Sequence, residues 1–130
     1  MLKRLMVGVG AAALLALPSM AQAQKMKMPP MPKGHQASIT GTVIDVSCKF
    51  GHNLTGDGHR MCAQVCADKG IPLAILGSDG KLYMPISEGM PGEGANAQLK
   101  PFAEQKVRIS GMVYDAGGAN AVVIKEIKKA

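Results

Sequence analysis

The segment "KVRISGMVYDAGGANAVVIKEI", Lys106 to Ile127, carries Val107, Ile109, Gly111 and Val113 at every second position. A repeat of two puts alternate side chains on opposite faces of an extended chain, whereas a helix would scatter these four around its axis. "DAGGAN", Asp115 to Asn120, has the composition of a turn, and "AVVIKEI" after it reads as a further strand. The chain therefore closes on a pair of strands.

Upstream, "SITGTVIDV", Ser38 to Val46, is β-branched and free of proline, which suits a first strand. "IPLAIL" and "KLYMPI", joined by "GSDG", read as strands two and three of a hairpin, with Pro72 and Pro85 confined to edges or bulges. "SEGMPGEGANA" has no hydrophobic period and is a surface loop; "QLKPFAEQ" is a short helical turn. Five short strands with helical pieces between them predict a mainly β fold, a small closed five-stranded barrel with one helix inserted between strands 1 and 2.

Residues 1–23 have the form of a secretory signal: Lys3 and Arg4, then "LMVGVGAAALLAL", then "AQA" at the cut. The segment is too short for a membrane anchor. The organisation expected is a leader over 1–23, a Met- and Pro-rich disordered arm over 24–36, and one domain over 37–130 in the periplasm or outside the cell. Without Lys3 and Arg4 the formal charge falls two below the chain's +6, and what remains gathers at the termini. Nucleic-acid binding needs a basic stripe with aromatics for stacking, and only Phe50, Tyr83, Phe102 and Tyr114 are aromatic. No nucleic-acid partner is expected.

The helix is predicted over Gly58 to Lys69, with Asp57 as N-cap and Gly70 just past its end. At about 100° per residue, His59, Cys62 and Cys66 fall within an arc of roughly 60°. Met61, Val65, Ala63 and Ala67 flank them, and Arg60, Gln64 and Asp68 lie opposite. This pattern points the cysteines inward, towards Cys48 at the end of the first strand.

Two uses of these cysteines stay open. A disulfide within one helix is disfavoured, since Cys62 and Cys66 sit about 6 Å apart with parallel side chains. Cys48 could instead pair with Cys62 or Cys66, a staple of about 3 kcal/mol by chain entropy. Alternatively Cys48, Cys62, Cys66 and His59 supply a thiolate-rich site for Cu(I), or less favourably zinc, with Asp45 and His52 as supporting groups that orient the ligands. Met26, Met28 and Met31, in M-x-M-x-x-M, add soft thioethers on the arm. No G-x-S-x-G, H-E-x-x-H or close carboxylate pair is present, so an enzyme is not expected.

"GTVIDVSC", "HRMCAQVCADKGIPLAIL", "DGKLYMPI" and "LKPFAEQKVRISGMV" together resemble a group of small secreted bacterial proteins with an OB-fold-like barrel and a D-x-x-C … H-x-x-C-x-x-x-C pattern. The resemblance covers about residues 38–127 and implies the barrel; its positions here are Asp45, Cys48, His59, Cys62 and Cys66. At fold level alone, the barrel is also similar to periplasmic copper-carrying proteins of efflux systems. This chain differs from them in having no tryptophan and in carrying cysteines on an extra helix. The function expected is an exported soft-metal binding protein with a metal-delivery or other periplasmic partner; the alternative is a disulfide-stapled interaction module without metal.

Overall fold

The computed structural model describes residues 29–30 and 32–130. The leader and most of the arm, with Met26, Met28 and Met31, lie outside the described residues. The elements run β1 (His35–Asp45), α1 (Val46–His52), a 3₁₀ turn (Asp57–His59), α2 (Arg60–Asp68), β2 (Leu73–Gly77), β3 (Leu82–Pro85), α3 (Asn96–Leu99), a 3₁₀ turn (Lys100–Phe102), β4 (Lys106–Ala116) and β5 (Ala119–Lys129). The strands close into a barrel in the order β1-β2-β3-β5-β4, with β3 and β5 parallel and the other pairs antiparallel. This is the five-stranded OB-like architecture expected from the sequence.

β1 joins two sides of the barrel. Its first part, His35 to Thr42, pairs with β4, and its second part, Gly41 to Asp45, pairs with β2. Pairing with Val113, Met112 and Gly111 draws His35, Gln36 and Ala37 into the strand, which begins three residues before the expected Ser38 and takes in the last two residues of the expected arm. Alternate residues of the strands fill the interior: Ile39 and Val43 from β1, Leu73 and Ile75 from β2, Tyr83 from β3, and Val107, Ile109 and Val113 from β4 are buried in one cluster. Leu99 of α3 closes it from the β3–β4 connection. Pro72 falls just before β2 and Pro85 ends β3, so neither interrupts the hydrogen-bonded ladder.

The insertion between β1 and β2 differs in one respect. It holds two helices, because the chain turns at Asp45 and Val46 to His52 coil as α1. Val46 is β-branched and favours a strand locally, but a carboxylate cap at Asp45 outweighs that preference of a few tenths of a kcal/mol. Among the described residues no helix is long and apolar enough to cross a membrane.

Two features of the barrel are open to direct test. The β4–β5 register shifts between Ser110 and Gly111, and a Cβ at Gly111 would collide with the Val123 carbonyl. Gly111→Ala should therefore force the strands apart and cost about 1–3 kcal/mol, read as a lower urea midpoint. Separately, the Tyr83 hydroxyl donates to Asp79 Oδ2 at 2.6 Å. This bond holds the Asp79 carboxyl below its usual range and, with burial, pushes the Tyr83 phenol up to about 12. The Asp79 contribution is present above about pH 4 and lost as pH falls; that of Tyr83 is present below about pH 10 and lost as pH rises towards 12. Tyr83→Phe should flatten the stability profile at both ends, measured by urea unfolding across pH.

Candidate metal centre

The site begins where β1 ends. Asp45 is fully buried and acts as N-cap of α1: its Oδ1 accepts the Cys48 amide proton at 2.9 Å. The D-x-x-C spacing has this physical meaning, since an N-cap side chain reaches the third helical residue and no further. Cys48 therefore lies in the first turn of a helix, not at the end of a strand. α1 stops at Asn53, which adopts φ 52° and returns its amide to the Lys49 carbonyl.

After the Gly56 turn, His59 is buried and Arg60 opens α2. Asp57 does not cap this helix; it starts the 3₁₀ turn that leads into it, and no side chain caps α2. The other end is as expected. Gly70, at φ 89°, donates to the Ala67 carbonyl and Ile71 to the Cys66 carbonyl, the paired bonds that end a helix on a left-handed glycine.

The face that α2 buries is rotated from the one its sequence suggested. Ala63 and Ala67 are buried, Cys66 is half-buried, and Cys62, Met61 and Val65 are exposed. The buried arc is centred roughly 100° from the two cysteines. Contacts to the β3–β4 connection explain the rotation: Arg60 donates to the Pro101 carbonyl at 2.8 Å, Gln64 to the Lys100 carbonyl at 3.3 Å, and Lys100 pairs with Asp68 at 2.6 Å. The polar residues that the wheel sets opposite the cysteines thus dock α2 sideways. The small alanines allow that close approach, and the cysteines are left on the flank where Cys48 meets them.

The Sγ atoms of Cys48, Cys62 and Cys66 lie within 4.8 Å of one another. Metal–sulfur bonds near 2.3 Å need S···S separations of roughly 3.8 Å in a tetrahedron and roughly 4.0 Å in a trigonal plane. Small side-chain rotations would reach either. All three are free thiols, with no pair at bonding distance. His59 is not part of this trio. Its ring, an Asp45 oxygen and Cys48 Sγ form a second group within 4.8 Å, so the expected Cys3His set divides into two groups that share Cys48. His52 is exposed at the end of α1 and belongs to neither group.

Glu104 was not anticipated. It follows the short turn after α3, has φ 57°, and its side chain is fully buried. Oε2 accepts the Gly56 amide at 2.8 Å, and Oε1 lies 3.0 Å from His59 Nδ1. A carboxylate only accepts, so Nδ1 donates, which in the neutral ring leaves the lone pair on Nε2. His59 Nε2 and Asp45 Oδ2 are buried without a hydrogen-bond partner. A glutamate 45 residues from His59 leaves no mark in the spacing, and no local signal could have found it.

Two of the thiols, Cys48 and Cys66, are held protonated. Hydrogen bonding to the Asp45 carboxylate, then burial, push the Cys66 thiol up to about 12; burial and then Asp45 raise Cys48. The two thiols crowd that carboxylate, although none of these contacts satisfies Oδ2 in hydrogen-bond geometry. Thiols raised in this way are poor nucleophiles. They remain competent for a metal that displaces their protons.

Comparison with protein-family models, curated proteins and solved structures found no match to this chain. The resemblance to small secreted bacterial proteins therefore rests on sequence pattern alone, and that to copper-carrying proteins on the barrel alone. Asp45→Asn keeps the helix cap and removes the charge beside Cys66. It should speed alkylation of Cys66 at pH 8 by about tenfold or more, because each unit by which the thiol falls from about 12 multiplies the thiolate tenfold. Peptide mass mapping of iodoacetamide-labelled protein reads this directly.

Proposed function

We propose that this is an exported, non-enzymatic protein that binds a soft metal, Cu(I), at Cys48, Cys62 and Cys66. The observation that carries the reading is the convergence of three thiols from two helices within 4.8 Å, with Cys62 open to solvent as the point of entry. Softness supports Cu(I): three sulfurs suit a monovalent, polarizable ion that accepts three ligands, while zinc asks for a fourth. Export follows from the leader-like residues 1–23, and the thioethers of Met26, Met28 and Met31 provide weaker ligands to pass an ion towards the thiols. A periplasmic metal-delivery protein is the partner this chemistry fits.

Titration of the reduced protein with Cu(I) against bathocuproine should show one tightly held ion per chain, and Cys62→Ser should weaken it at least tenfold. Absence of competition at micromolar metal would remove the copper reading. A stapled module without metal is the second reading, favoured by the same closeness of Cys48 to both helical sulfurs. Intact mass after alkylation separates the two: three alkylatable thiols fit the metal site, and one thiol fits a Cys48 bridge.

A further inference from the structure

The copper reading uses neither His59 nor Asp45, yet these are the two most completely prepared groups at the site. An unliganded core histidine normally satisfies both ring nitrogens, since a buried polar atom without a partner is destabilising. Here one nitrogen is fixed by a buried glutamate that is itself anchored through Gly56, and the other is buried without a hydrogen-bond partner. Histidines that ligate metals are held this way, with a carboxylate on the far nitrogen setting the tautomer and the ring angle. Asp45 repeats the arrangement: Oδ1 is spent on the α1 cap, and Oδ2 is buried and unpartnered.

We propose that Asp45, Cys48 and His59 form a second subsite, for a borderline divalent cation such as zinc, with the Cys48 thiolate shared with the thiol trio. One oxygen, one sulfur and one nitrogen within 4.8 Å of one another match the ligand preferences of Zn²⁺, and the mixed set is too hard for Cu(I). Water or an incoming ligand takes the fourth position. Asp45 and Glu104 bring the negative charge that a divalent ion offsets in a buried setting. Glu104 is a positioning residue for His59. The subsite stands apart from the copper reading, because it needs only one of the three thiols.

The test uses Co²⁺ and Zn²⁺ as probes. The Cys62→Ser/Cys66→Ser double variant, which dismantles the thiol trio and leaves the subsite, should bind one Co²⁺ per chain with ligand-field bands of a four-coordinate ion and one thiolate charge-transfer band. His59→Ala or Asp45→Asn in that background should weaken binding at least tenfold, and Glu104→Gln by about 10–100-fold. Native mass spectrometry of the full chain carries its own folding control: the natural protein with one Cu(I) should take up one further Zn²⁺, and His59→Ala, its fold reported by retained copper uptake, should refuse the zinc. Divalent binding that disappears with Cys62 and Cys66, or that ignores His59, overturns the subsite. Failure of Cu(I) to bind while His59-dependent Zn²⁺ uptake persists overturns the copper reading alone.

Discussion

The carboxylate of Asp45 is the constraint on which the insertion depends. It sits at the last position of β1, fully buried, and holds the Cys48 amide at 2.9 Å. A buried carboxylate is costly unless its oxygens find donors, and the first turn of a helix offers unpaired amides at the required distance. Meeting that requirement converts strand into helix and places a sulfur in the first turn. The same group then faces the Cys48 and Cys66 thiols and keeps them protonated. One residue thus sets backbone direction, ligand position and thiol chemistry together.

The barrel contributes the other half of the site through the connection between β3 and β4. Lys100 and Pro101 receive the polar side of α2, Asn96 bonds the Ala67 and Ile71 carbonyls and the Leu73 amide, and Glu104 reaches His59 and Gly56. The inserted helices are thereby tied to a segment far from them in sequence. Their geometry rests on directional bonds and two buried alanines more than on a large apolar interface, which suits a site that must keep polar ligands near water. Cys62 stays exposed because α2 is turned towards this connection.

The site is graded from soft to hard. Sulfur alone faces the solvent side; oxygen and nitrogen stand deeper, beyond Cys48. Ions of different softness should partition between these lobes, since each takes the donors that match its polarizability. Protonated thiols add a further condition, as metal entry must release protons and so tightens as pH rises.

Local periodicity was enough for the barrel. Val107, Ile109, Gly111 and Val113 fixed a strand, "GSDG" fixed a hairpin, and Gly70 marked a helix end, because strand alternation, tight turns and left-handed glycines are properties of a few consecutive residues. The closeness of Cys48 to the α2 cysteines agrees with the expectation, but not through the inward-turned cysteine face it was drawn from, since Cys62 is exposed. Tertiary structure decided what neighbours in sequence cannot encode. It made a helix of 46–52, turned α2 onto Ala63 and Ala67, separated His59 from Cys62 and Cys66, and brought Glu104 under His59. A wheel drawn from one helix gives the angles between its own side chains. The direction in which that helix turns depends on hydrogen bonds from Lys100, Pro101 and Glu104, which exist only once the barrel has closed.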